Sequence, residues 1–446
     1  MLSSAPSASD FTRRQALGVL GALALPWNRL LAQTASPPSA GVAGNPTTPA
    51  APAVPARPHL PNFHGMMEWI ARENGPRLSF LDPSWRSLET WKQAARPVFR
   101  QHLSYDPTPL QLAADVMRRE ERDGFMLEVV NIHATPAYSI PARVLVPSKR
   151  QGKLPAVVAL HCHSGRYTWG HEKIVSSPAD SEYLLEFRSV AYGRPWAEAL
   201  VRRGYVVIVA DAFYFGERRL RVEDLDDIDS IPVAGGAREA VAAARSQPPG
   251  SREWIGATNR VCGLYEHLTA KTIFAAGATW PGLHVWDDMR TVDYLATRAE
   301  VDPARIGCAG LSIGGLRAAH LIAADPRIKA ASVTGWMTEF AHLLRNHASP
   351  HTWMAYIPGL YRSLDLPDAA ALHAPGALLV QQCRRDPLYT ASGMQAAVDK
   401  LTRIYAKAGI PERFRGTFYD EPPGFKPHNF RPHLQEETFA WLDKWL

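Results

Sequence analysis

Cysteine is scarce. The 446 residues hold four, Cys162, Cys262, Cys308 and Cys383, with no C-x-x-C pair and no zinc-finger spacing. That excludes a disulfide-dense scaffold and a small zinc module. An excess of charge of one sign is also missing. Lys and Arg total 49 against 43 for Asp and Glu, a net +6, and basic residues never run beyond pairs. Without a basic stripe interleaved with aromatics, no nucleic-acid groove is expected. The chain also lacks a stable membrane span at its apolar start. Ala16 to Leu25 falls short of the roughly 20 residues a bilayer crossing needs. No internal repeat is visible.

What is present begins with the N-terminus. Arg13–Arg14 stand just before that short apolar run. Residues 1–34 therefore read as a twin-arginine-type export signal, which implies the twin-arginine export machinery as a partner and an exported, periplasmic or secreted location. Residues 35–61 are too rich in Pro and Ala to pack and read as a disordered linker. Over 62–124 the spacing of Leu81, Trp85, Leu88, Trp91 and Ala95 predicts a helical extension, with Ser84 or Asp82 as its cap.

From residue 125 onward, apolar strand-like runs alternate with amphipathic helices. "PAVVAL", "VVIVA", "RIGCAG" and "ALLVQQC" are continuous apolar stretches of the kind parallel strands show when buried on both faces. The fold class is α/β, with a doubly wound, mostly parallel sheet over 125–446. One segment, about 221–285, interrupts the alternation and reads as a cap-like insertion over one end of the sheet.

In such a sheet, ligands sit beyond the carboxyl ends of the strands. After "RIGCAG" comes Leu311–Ser312–Ile313–Gly314–Gly315, a glycine-flanked serine on a strand-to-helix turn that would lift its hydroxyl above the sheet. A serine nucleophile needs a base, and the base needs an acid to orient it. Asp386 follows the strand "ALLVQQC" and His428 lies in the loop "GFKPHNF" before the last helix, in the order Ser, acid, His. Glu339, after the preceding strand, is the alternative acid. An oxyanion hole needs two N–H donors. One is expected from Ile313, directly after the serine, and one from the loop His161–Gly165. Phe213, Tyr214 and Phe215, after another strand, are expected to shape the substrate pocket.

The order of elements and the motifs "HCHSG", "GLSIGG", "RRDPLY" and "KPHNF" resemble the α/β-hydrolase superfamily. Within it, "GYVVIVADAFYFGERR", "WDDMRTVDYL" and "VDPARIGCAGLSIGG" are similar to the bacterial esterase group of acetyl xylan esterases and dienelactone-hydrolase relatives. The resemblance covers roughly residues 125–446. It implies His163 as the second oxyanion donor, although Cys162 stands where that group usually has glycine. It implies a serine esterase working on a small-molecule or carbohydrate ester, with no cofactor. Serine in place of cysteine separates the chain from dienelactone hydrolases, and Ile313 in place of arginine separates it from glucuronoyl esterases.

Other readings compete with this one. A prolyl-oligopeptidase-like peptidase shares the triad order but carries a large β-propeller that 62–124 is too short to make. A non-catalytic hydrolase-fold binding protein is weakened by a competent residue at every triad position. His161, His163 and His171 could suggest a metal, but the loop already has an oxyanion role, and no metal is expected.

Overall fold

The computed structural model describes residues 57–225 and 236–446. The export signal expected over 1–34, and the linker as far as residue 56, lie outside the described residues. Helices α1 (His64–Glu73) and α2 (Leu88–Leu103) come first. The cap of α2 is Ser87, whose Oγ accepts the Thr90 N–H at 3.4 Å. Asp82 instead closes a turn on Ser84, so neither residue expected as the cap fills that place. The extension is not wholly helical either, because 114–122 form a strand.

That strand, β1 (Ala114–Arg122), joins β2 (Phe125–Thr135) and β3 (Tyr138–Pro147) in an antiparallel meander. The expected alternation then follows: β4 (Leu154–Leu160), α3 (Glu182–Ala191), α4 (Trp196–Val201) and β5 (Val206–Ala210). The insertion supplies α5 (Ala237–Ser246) and α6 (Arg252–Ala275). After it come α7 (Trp280–Thr297), β6 (Val301–Leu311), α8 (Ile313–Ala324), β7 (Ile328–Thr334), α9 (Leu366–Ala371), β8 (Ala377–Cys383), α10 (Ala391–Lys407), β9 (Phe414–Tyr419) and α11 (Pro432–Trp445).

Among the described residues, nine strands form one sheet in the order β1-β2-β3-β5-β4-β6-β7-β8-β9, parallel from β5 to β9. Successive residues of a strand face opposite sides, so each central strand feeds two cores. Val158, Ile208, Cys308 and Val380 pack under α2, α7, α8 and α10. Val157, Val207, Ala309 and Leu379 pack under α4 and α11. Asp302–Pro303 fall in an irregularity inside β6, where pairing to β4 jumps from Leu154↔Val301 to Ala156↔Ile306.

Helix α2 is fastened to the main fold, since Trp91, Ala95, Phe99 and Leu103 join its core. Arg96 donates from Nε to the Ala323 carbonyl (3.0 Å) and from Nη2 to the Leu372 carbonyl (2.7 Å), satisfying carbonyls at the ends of α8 and α9. The insertion has a small core of its own, including Val222, Ala240, Val241, Val261 and Tyr265. All four cysteines are buried and free. Among the described residues, no helix is long and apolar enough to cross a membrane.

Candidate active site

The chain leaves β4 for β5 on one side and returns to β6 on the other, so the crevice beyond β4 and β6 is the switch point of the sheet. Both motif loops lie there. Ser312 sits between β6 and α8 with φ 60° and ψ −125°, a conformation costly for a residue with a side chain. Its N–H is held by the Thr334 carbonyl at 2.9 Å. The turn requires glycine around it. A Cβ on Gly314 would stand 2.2 Å from the Leu160 carbonyl oxygen, and one on Gly310 would stand 2.5 Å from Gly314.

His428 and Asp386 meet beside this turn. His428 Nδ1 donates to Asp386 Oδ2 at 2.6 Å, while Asp386 Oδ1 accepts the Leu388 N–H at 3.0 Å. With Nδ1 protonated, His428 Nε2 is left as an acceptor, buried and without a partner among the described residues. The imidazole lies against Gly335, where a Cβ would be 3.1 Å from Cε1. Gly335 directly follows Thr334, the residue that holds Ser312. Glu339 is elsewhere: its carboxylate lies 3.9 Å from both Lys400 Nζ and His342 Nε2.

The other wall carries the "HCHSG" loop. His161 is fully buried, with Nε2 accepting the Ala212 N–H (3.1 Å) and Nδ1 facing the Cys162 carbonyl (3.1 Å). Burial holds its pKa well below the usual histidine value. Cys162 takes the glycine position without opening the loop, because its side chain joins the core under α4 and its N–H donates to Tyr192 Oη (3.0 Å). His163 Nδ1 accepts the Gly165 N–H at 2.9 Å, so Nε2 carries the proton and donates to Glu266 at 3.0 Å. Glu266 stands on α6 and also accepts from Tyr167 Oη (3.3 Å) and Thr352 Oγ1 (2.6 Å). Among the described residues, neither the His163 N–H nor the Ile313 N–H has an acceptor.

The three histidines weighed as metal ligands have separate partners. His171 Nδ1 and its backbone N–H both bond Asp211 Oδ1 (2.9 and 2.7 Å), whose Oδ2 accepts the Glu217 N–H (2.9 Å). His171, Glu172 and Asp211 form a tight acidic cluster, and these bonds make it an anchor joining two loops.

The aromatic triplet is placed deeper than expected. Tyr214 and Phe215 are buried, Tyr214 donating to the Cys262 carbonyl (3.0 Å) and Phe215 stacking on Tyr167. Phe213 keeps partial exposure. Near His428, the rings of Trp336, His351 and Tyr389 pack 4.6 to 5.7 Å apart, and Tyr389 Oη donates to the Gly335 carbonyl at 2.9 Å. Burial pushes His351 down to about 4, so it is neutral there. Glu266, Trp336 and Tyr389 do not stand out in the sequence.

This sheet, with a strained serine after its central strand and a His–Asp pair on later strand ends, defines the α/β-hydrolase fold. A "putative acetyl xylan esterase" from Bacteroides fragilis matches it with a TM-score of 0.63 at 17% identity, covering 85% of this chain and 94% of that one. A glucuronoyl esterase from Solibacter usitatus matches at 0.54 and 15% identity, covering 80% and 94%. In sequence, the Bacillus subtilis protein named "Putative hydrolase YtaP" is 23% identical over 341 residues, 76% of this chain and 95% of the relative. No protein-family model matches the chain.

Proposed function

We propose that the chain is an exported serine hydrolase of carboxylic esters. Ser312 Oγ attacks the ester carbonyl as His428 Nε2 takes its proton, and Asp386 holds the imidazole in the tautomer that leaves Nε2 free. The tetrahedral oxyanion rests on the N–H groups of Ile313 and His163. The alcohol leaves with the proton from His428, and a water activated by the same nitrogen releases the acid from Ser312.

The observation that carries this reading is the 2.6 Å bond from His428 Nδ1 to Asp386, with Nε2 buried and unpartnered beside the strained serine turn. Names of the fold neighbours support an ester substrate on a carbohydrate. Export through the twin-arginine machinery rests on Arg13–Arg14 and the apolar run after them. The peptidase alternative is disfavoured because 64–122 form two helices and an edge strand, with no propeller among the described residues.

A fluorophosphonate probe tests the chemistry: wild type is labelled and Ser312→Ala is not. Equal labelling of the two, or none of either, removes the esterase reading. Turnover of acetylated sugars against short-chain aryl esters then tests the substrate, and a preference for the aryl esters removes the carbohydrate assignment.

A further inference from the structure

Lys173 is fully buried, yet no carboxylate among the described residues forms an ion pair with it. Its Nζ donates to the Cys162 carbonyl at 2.7 Å and the His163 carbonyl at 3.2 Å, and sits 4.4 Å from the centre of the Phe215 ring. An ammonium in such a place is expensive, and an apolar side chain of similar volume would fill it at less cost. The two carbonyls it holds belong to the loop that also offers the His163 N–H.

The planarity of a trans peptide links those carbonyls to the N–H groups beyond them. The C=O and N–H of one peptide point in opposite directions in one plane, so a Cys162 carbonyl drawn down onto Lys173 turns the His163 N–H up and away from it. The His163 carbonyl does the same for the Ser164 N–H. A cation on the carbonyl oxygen also draws electron density from the amide and strengthens its N–H as a donor. The His163 side chain is tied separately to Gly165 and Glu266, so ring and peptide are both fixed.

We propose that Lys173 is a positioning residue of the oxyanion hole, turning and polarising the Cys162–His163 peptide so that its N–H faces the charge that develops on the substrate. The inference rests on the esterase reading. Its effect belongs to the transition state, where the oxyanion exists, and not to ground-state binding.

The test compares wild type, Lys173→Met and Lys173→Gln by kcat and KM on one aryl acetate. It adds inhibition by a boronic acid, which forms a tetrahedral adduct on serine, and by an unreactive amide analogue of the ester. Removing an oxyanion donor outright costs about 10²–10³ in kcat. Misaiming one is expected to cost the Met variant on the order of 10- to 100-fold in kcat, with KM and amide binding within about twofold of wild type. Boronate affinity should fall in step with kcat. Gln, a donor without the charge, should lose less. If Met does not fold, Gln alone must still show weaker boronate binding at unchanged amide binding.

Wild-type kcat and boronate affinity in the folded variants overturn the role of Lys173. So does a loss of amide and boronate binding together, which marks a packing role. A wild type that is neither labelled by fluorophosphonate nor active on any ester overturns the underlying reading as well. An active wild type with an equally active variant overturns only this one.

Discussion

Glu266, on helix α6 of the insertion, accepts a hydrogen bond from His163 Nε2 at 3.0 Å. Helix α6 therefore holds the loop that follows β4. Burial alone would raise the Glu266 pKa, but the bonds from His163, Thr352 and Tyr167 outweigh it and keep the carboxyl below the usual range. The same oxygen ties the loop after β4 to the segment between β7 and α9, so two otherwise separate pieces of chain share one acceptor on a third.

Glu266→Ala should strip that acceptor from three partly buried donors at once. Each unsatisfied donor costs roughly 1–3 kcal/mol when fully buried, and less here where water can enter. A fall of a few degrees in Tm is expected by calorimetry, together with a drop in kcat/KM of about tenfold or more as the His163 loop loosens. Glu266→Gln keeps one carbonyl acceptor and should recover part of both. An Ala variant with wild-type turnover would detach the insertion from the chemistry.

The identity of the acid is open to substitution as well. Asp386→Asn keeps the shape of the carboxylate but reverses what His428 can donate to, and the wrong tautomer typically costs about 10⁴ in kcat. Glu339→Gln touches neither His428 nor Asp386 and should stay within about threefold of wild type. Reversed magnitudes in a side-by-side assay would move the acid to the strand before.

The parts legible in the sequence share a physical cause. β4, β5, β6 and β8 are buried on both faces and so read as unbroken apolar runs, and the residues that come after such strands are the ones a doubly wound sheet exposes. Ser312 and Asp386 stand just after β6 and β8 and are picked out for that reason, whereas His428 follows the half-buried β9 and is picked out only by its order after them. β1 cannot, because most of its side chains are exposed at the sheet edge and "ADVMRREER" carries no alternation. The α2 cap escapes a sequence reading because Asp82 and Ser87 are both competent side chains, and only the backbone decides which one meets a free N–H. Glu266 and Lys173 act through chain brought together by the fold, one as a carboxylate on a long helix and one as a lysine at the end of a single 3-10 turn. Neither has a local pattern to mark it. The buried places of Tyr214 and Phe215 follow from Tyr214 at φ 81°, a turn that sends both rings inward and that no propensity scale signals.

Gly335 offers a test of how closely His428 is held. It has φ 63°, and a Cβ there would stand 3.1 Å from His428 Cε1 and 3.3 Å from Leu311 Cδ1. Gly335→Ala should both strain the backbone and push the imidazole from its place against Gly335. The expected result is a loss of kcat of about 10²-fold, the scale of a 1 Å displacement, with a modest fall in Tm. Retention of full activity would mean that the ring can shift without consequence, and that the close approach at Gly335 is incidental.

The pH dependence of turnover should turn on Lys173. Burial is the largest influence on it and brings its pKa down from 10.5 to about 8; the Cys162, Glu172 and Asp211 side chains oppose the fall and Arg166 adds to it. Below pH 8 the ammonium is intact and the His163 N–H is fully polarised. Above it the amine is neutral but can still donate, so kcat should fall across about pH 7 to 9.5 to a lower plateau, not to zero. Stability should move the other way. Between pH 8 and 10.5 the unfolded chain binds the Lys173 proton and the folded chain does not. The linkage relation therefore makes this contribution to stability rise with pH through that window. Lys173→Met should flatten both trends. Wild-type kcat that is level across the window, or an alkaline fall of equal size in the Met variant, would show that the lysine's charge does not reach the oxyanion.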